Sequence, residues 1–219
     1  MTVKSVVPLT KNQEKAFNAF HNKNLLLHGW AGTGKTYIAL AMSLKEILEN
    51  ATYQKLYIVR SAIPSRSIGY LPGDLKEKLE VFEKPYANIC NELLGRADGY
   101  NFLKSKLLVE FISTSYLRGV TLDNCIILVD EIQNMDFGEL STVVTRLGKK
   151  VRVIFCGDYR QSDFRGHSTH SKQDVRDFMD VIKNMESNFM AIEFNTSDIV
   201  RGPIARDFLL TAYNLGYDH

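Results

Sequence analysis

The sequence predicts an α/β fold, a mostly parallel, doubly wound sheet with helices on both faces. Three observations carry this. Six short apolar runs recur along the chain, at 24–28, Lys55–Arg60, 108–112, Cys125–Val129, 151–156 and 190–194. Helix-periodic stretches separate most of them, as crossover connections between parallel strands require. The residues with chemical potential, glycines, acids and amides, gather just after the runs, where strand C-terminal ends carry function in such sheets.

At 219 residues the chain is expected to form a single domain over 1–219. Its 45% hydrophobic and 24% charged content is ordinary for a globular protein, with neither repeat nor low-complexity tract. Lys and Arg number 27 against 25 Asp and Glu, so bulk charge offers little pull toward nucleic acid and leaves only a local patch open. Cys90, Cys125 and Cys156 stand far apart among apolar neighbours. That spacing predicts buried thiols in a reducing compartment and excludes a disulfide framework. The N-terminus lacks the apolar core of a secretory signal, and no stretch approaches the about 20 apolar residues of a membrane span. A cytoplasmic location is expected, in the host cytoplasm if the gene is phage-borne.

Taking the elements in order, Thr10 is expected to cap a helix whose Ala16, Phe17 and Phe20 share one face. Gln13 falls in its first turn, where an amide can read the N6 and N7 edge of adenine or simply face solvent. The apolar run at 24–28 then meets Gly29-Trp30-Ala31-Gly32-Thr33-Gly34-Lys35-Thr36, followed by a helical stretch ending near Asn50. These residues satisfy G-x-x-x-x-G-K-[ST] in the strand-loop-helix context the pattern requires. Glycines let backbone N–H groups turn toward phosphate oxygens, and the helix starting near Gly34 adds its positive dipole end. Lys35 is expected to reach β- and γ-phosphates, and Thr36 to place its hydroxyl on Mg²⁺.

Lys55–Arg60 reads as a second strand, followed by an irregular, proline- and glycine-containing segment at 61–73. Asp74 then caps a helical region to about Leu94, with Pro85 as a point of interruption. A third strand at 108–112 leads into Ser113 to Gly119. The fourth, Cys125–Val129, delivers Asp130-Glu131 at its tip. An acid there holds Mg²⁺ opposite Thr36, and the next one orients and deprotonates a water aimed at the γ-phosphate; strand-end capping is the alternative. A helix over about 136–147 precedes the fifth strand at 151–156, which ends in Gly157-Asp158-Tyr159-Arg160-Gln161. Gln161 can sense the γ-phosphate or its attacking water, or be a solvated loop residue. The stretch at 160–172, with Arg165, His167, His170 and Lys172, reads as a loop. After the sixth strand, Ser197 or Asp198 is expected to cap a short turn. Arg201 follows, either as a finger for charge building on the transferring phosphoryl group or as a surface ion-pair partner. A last helix runs over about 203–215.

Thr10-x-x-Gln13, the phosphate loop, Asp130-Glu131-Ile132-Gln133 and Gly157-Asp158-x-x-Gln161 occur in the order of superfamily 1 helicase cores. With Gly69-Tyr70-Leu71-Pro72-Gly73-Asp74, Tyr116-Leu117-Arg118-Gly119, Thr121-Leu122 and Ser197-Asp198-Ile199-Val200-Arg201, the chain resembles the PhoH family, phosphate-starvation-inducible ATPases related to those helicases. The likeness spans about 8–213. Two residues depart from the family's habit: Trp30 stands where Pro is usual, and Gly202 follows Arg201 where His is common.

The resemblance implies a RecA-like P-loop NTPase core in which the 151–156 strand lies between those of the phosphate loop and Asp130. It also implies ATP and Mg²⁺ as cofactors and RNA or single-stranded nucleic acid as a partner. The nucleotide set is then Gln13, Gly29, Ala31, Gly32, Thr33, Gly34, Lys35, Thr36 and Tyr37. Thr36 and Asp130 are the metal set, and Lys35, Glu131, Gln161 and Arg201 the catalytic set. Since a helicase closes its ATP site between two cores and this chain offers one, a homo-oligomeric ring is expected, with Arg201 or Arg118 reaching a neighbour's γ-phosphate. The family points to a hexamer. Arg66, Tyr70, Lys104, Lys106 and Arg118 are candidate nucleic-acid contacts. The competing expectation is a nucleotide-dependent oligomeric switch that recruits a protein partner. A small-molecule phosphotransferase is disfavoured by Glu131 and the motif ending at Gln161.

Overall fold

The computed structural model describes residues 1–61, 75–158 and 169–216, with side chains at all of these except 75–79 and 169–172. The elements in chain order are α1 (Lys11–Phe20), β1 (Asn24–Gly29), α2 (Lys35–Leu48), β2 (Lys55–Arg60), α3 (Leu75–Leu94), α4 (Gly99–Ser105), β3 (Val109–Ser113), β4 (Cys125–Val129), α5 (Phe137–Thr145), β5 (Val151–Gly157), α6 (Thr169–Asn184), β6 (Phe189–Phe194) and α7 (Pro203–Asn214). The six strands form one sheet in the order β3-β2-β4-β5-β1-β6, with every pairing parallel. This is the α/β architecture of RecA-like P-loop NTPase cores, and β5 lies between β1 and β4 as expected.

Alternation along each strand divides the core in two. Leu25, Leu27, Ile126, Leu128 and Ile154 face a layer built from α1 to α4, whereas Leu26, Ile127, Val129, Val153 and Phe155 face α5 and α6. Strands covered on both faces read as continuous apolar runs, which is why β4 is buried at every residue. The layering also positions the site. α2 carries the chain from β1 over one face to β2, and α6 carries it over the other face from β5 to β6. The C-terminal tip of β1 therefore opens into a crevice at a topological switch point.

Local signals account for most boundaries. Thr10 caps α1 by accepting from the Gln13 N–H, and Asp136 caps α5 in a reciprocal capping box with Glu139. Pro85 lies inside a continuous α3, not at an interruption. The turn at Thr196–Asp198 is capped by Asn195 rather than by Ser197 or Asp198; Asp198 instead accepts the Asn195 N–H at 2.9 Å. The expected 160–172 loop is shorter, because α6 begins at Thr169. Val175, Phe178, Met179 and Ile182 form its buried stripe. α4 is a further helix that the sequence did not announce. The Asp74 cap and the Leu71 to Gly73 run lie outside the described residues. Among the described residues, no helix is long and apolar enough to cross a membrane, and all three cysteines are buried and free.

Candidate functional site

The loop after β1 depends on its glycines. Gly29 has φ +112°, and a Cβ there would stand 2.1 Å from the Phe194 carbonyl oxygen. That carbonyl accepts the Trp30 N–H at 2.9 Å, pinning the loop to the tip of β6. Gly32 and Gly34 are also left-handed, at φ +73° and +80°, and α2 begins immediately afterwards. Lys35 folds back to donate from Nζ to the carbonyls of Gly29 (2.8 Å) and Trp30 (2.6 Å). Burial lowers its pKa, opposed by the charges of Asp158, Asp130 and Glu131 and by Cys156. The ammonium is thus held at the mouth of the loop by carbonyl oxygens.

Opposite Lys35, the tip of β4 presents Asp130. The Thr36 hydroxyl donates to its carboxylate, lying 3.1 and 3.2 Å from the two oxygens, and the Tyr86 hydroxyl of α3 donates to Oδ2 at 3.0 Å. Burial, and then the neighbouring charge of Glu131, push Asp130 up to about 6. A buried carboxylate at that cost beside a threonine hydroxyl is a fitting seat for Mg²⁺, a hard cation that takes oxygen ligands and needs few protein groups when phosphates supply the rest. Among the described residues, no cluster of three or more His, Cys, Asp or Glu side chains converges elsewhere as an alternative metal centre.

Glu131 adopts the left-handed conformation, φ 57° and ψ 45°, rare for a residue with a side chain. Its carboxylate accepts from Gln133 Nε2, while Gln133 Oε1 accepts the Asp158 N–H at 3.1 Å. One amide therefore ties the acid after β4 to the tip of β5. Gly157 makes room for this: a Cβ there would stand 2.5 Å from Ile132 Cγ1 and 2.6 Å from Gln133 Oε1.

A cavity of about 600 Å³ joins these parts, lined by Gln13, the residues from Ala31 to Tyr37, Asp130, Glu131, Gln133, Asp158 and Arg201, with Val6, Val7, Leu9 and Ile89 forming an apolar end. The Gln13 amide is engaged with the chain itself: Oε1 accepts the Leu9 N–H at 2.8 Å and Nε2 donates to the Thr33 carbonyl at 2.9 Å. These partners fix its orientation and leave one N–H and one lone pair. Arg201 lies against the phosphate loop of the same chain, since a Cβ on Gly32 would stand 2.7 Å from Arg201 Cγ, and the Val200 N–H donates to the Gly32 carbonyl at 3.0 Å. Arg118, by contrast, is exposed beyond the turn that follows β3.

Gln161, Arg66 and Tyr70 lie outside the described residues. Lys104 and Lys106 do not join the site. They immediately precede β3, at the sheet edge opposite the strand tips, and Lys104 pairs with Glu83 at 2.7 Å. The structure adds Tyr86, and it gives Gln133 and Asp158 specific bonding roles. Gln133 belongs to the Asp-Glu-Ile-Gln run, whereas nothing near Tyr86 in the sequence points to Asp130.

A family profile described as "PhoH-like protein" matches residues 5–214. A PhoH-like protein of Bacillus subtilis is 32% identical over 213 residues, covering 96% of this chain and 65% of its own length. One from Mycobacterium leprae is 30% identical over 200 residues, covering 90% of this chain and 56% of its own. The chain therefore spans a little over half to about two thirds of these relatives. Among solved structures, the large terminase of a thermophilic bacteriophage in complex with ADP superposes with a TM-score of 0.54 at 13% identity, over 94% of this chain and 50% of the terminase chain. That likeness is one of fold. With the profile matched along nearly the whole length, the chain belongs to the PhoH family.

Proposed function

We propose that this chain is a single-domain Mg²⁺-dependent ATP hydrolase with a helicase-like core that couples hydrolysis to binding or remodelling RNA or single-stranded DNA. The observation that carries the reading is the convergence of Lys35, Thr36, Asp130 and Glu131 on one cavity beside a left-handed glycine loop. The loop N–H groups and Lys35 hold the triphosphate, and Gln13 meets the adenine with its remaining N–H and lone pair. Thr36 and Asp130 would hold Mg²⁺, which would supply charge neutralisation to the triphosphate. Glu131 orients a water and takes its proton, while Arg201 sets positive charge against the γ-phosphate of its own subunit. Gln161 is assigned the sensing role. The order of the motifs at Gln13, Lys35, Asp130 to Gln133 and Gly157 to Gln161, which is that of superfamily 1 helicase cores, supports the nucleic-acid partner.

In this reading the chain works as a homo-oligomeric ring, a hexamer, in the cytoplasm. Exposed Arg118 is the better candidate for a finger in trans, because Arg201 already leans on its own loop. A second reading, a nucleotide-dependent switch for a protein partner, is favoured by one feature. α7 exposes Ile204 and Phe208, with exposed Leu215 just beyond its end, while its Tyr213 ring stacks edge-on to Trp30 of the phosphate loop, with centroids 4.6 Å apart. The readings separate by ATP turnover measured with and without single-stranded RNA or DNA across a salt series. Stimulation that fades with salt supports the motor. Turnover indifferent to every nucleic acid refutes it and favours the switch.

A further inference from the structure

Helix α3 lies against the site along one face. Phe82 lies beneath the Arg60 guanidinium at 4.9 Å, Tyr86 reaches Asp130, and Ile89 lines the cavity, at spacings of four and three residues that share a helix face. Tyr86 is 2% exposed and packs its ring 5.7 Å from that of Phe111. A phenylalanine would fill this space equally well. What the hydroxyl adds is a bond to the Asp130 carboxylate, and burying a hydroxyl in a core repays its desolvation only when such a bond is made.

The carboxylate is thereby gripped from two elements. Thr36 donates from the start of α2, and Tyr86 donates to Oδ2 from α3. A carboxylate has about four lone-pair sites, so both bonds can persist while others face the cavity that Asp130 lines. With only one of the two donors, the group would be free to rotate about its Cβ–Cγ bond. We propose that Tyr86 is a positioning residue for the divalent cation: its hydroxyl holds the Asp130 carboxylate in the orientation that receives Mg²⁺ beside Thr36. The inference rests on the metal-nucleotide reading of this site. It makes α3 part of the metal site, although Tyr86 itself touches neither cation nor nucleotide.

The test uses Tyr86→Phe, which removes one oxygen and keeps the ring. Binding of a fluorescent ADP analogue is measured in EDTA and in Mg²⁺, and the ratio of the two Kd values gives the magnesium-linked gain in affinity. Tyr86→Phe should reduce that gain about tenfold and leave the EDTA value unchanged, the scale typical for removing a partner that orients a metal ligand. Phe111→Leu, which loosens the packing around the Tyr86 ring without touching Asp130, should leave the gain intact. A gain within twofold of wild type in Tyr86→Phe overturns the inference. So does equal weakening with and without Mg²⁺, which would make Tyr86 a support of the whole pocket. Either Tyr86→Phe result, beside a normal wild-type gain, overturns the inference alone; a wild-type protein with no magnesium-linked gain overturns the metal assignment of the proposed function as well, and one that binds no nucleotide overturns that function entirely.

Discussion

Replacing Gln133 with Ala cuts the link between the tips of β4 and β5. Two bonds vanish together: the one from Nε2 to the Glu131 carboxylate and the one from the Asp158 N–H to Oε1. Asp158 is buried, so its N–H loses its acceptor at a cost of about 1–3 kcal/mol. For a chain of this size each kcal/mol lowers the melting temperature by roughly 2–4 °C, giving an expected fall of about 2–12 °C. The Glu131 side chain also loses the amide that aims it, and a misaimed general base forfeits about 10²-fold in kcat with little change in KM. Gln133→Glu keeps an acceptor for the Asp158 N–H, but it buries a second carboxylate against Glu131, so it should lower both melting temperature and turnover at least as severely as Ala. Melting curves and steady-state ATP turnover on the three proteins provide the comparison. A Gln133→Ala protein within twofold of wild-type kcat would refute the claim that this amide positions Glu131.

Other residues make separate predictions. Gln13→Leu should raise KM for ATP at least tenfold and erase any preference for ATP over GTP, because the bonds to Leu9 and Thr33 lock the amide in one orientation; a retained preference in turnover would contradict this. Gly29→Ala should cost about 3 kcal/mol or more in denaturant unfolding, since the new methyl meets the Phe194 carbonyl at a left-handed φ. The metal-free protein carries a pH signature at Asp130. Its folded pKa of about 6 stands above the ordinary value of 3.8, so between them the native state binds more protons than the unfolded one. Stability attributable to this group therefore rises as pH falls through about 6 and is lost again as pH rises. The melting-temperature difference between wild type and Asp130→Asn should shift in favour of wild type from pH 7 to pH 5, and saturating Mg-ADP should suppress that shift.

The parts legible in the sequence were those whose physics is local. A left-handed loop needs glycines at fixed offsets, so Gly29, Gly32 and Gly34 announced the phosphate site before any fold was known. An acid after a wholly apolar strand marked Asp130 in the same way. Distant contacts left no such trace. Tyr86 reaches Asp130 across 44 residues, and no spacing rule relates them. Ser197 and Asp198 read as the caps of the turn at 196–198, and only the reciprocal bonds between Asn195 and Asp198 show that Asn195 takes that place. α6 was legible in principle from Val175, Phe178, Met179 and Ile182, but its polar first turn read as a continuation of the loop before it. Gln13 was found for its chemistry toward adenine, whereas its bonds to Leu9 and Thr33 emerge only once the loop is folded over α1.

The central claim is that Glu131 activates the water that cleaves ATP bound by Lys35 and Thr36. Its most direct test is a single-turnover measurement of γ-phosphate release at saturating Mg-ATP, comparing wild type with Glu131→Gln, alongside the affinity of each for ATP. The account predicts ATP affinity within about threefold and hydrolysis slowed by about 10²-fold or more, in the range that general-base removal produces. Unchanged hydrolysis in Glu131→Gln would contradict it and move the search for the base to another residue of the cavity.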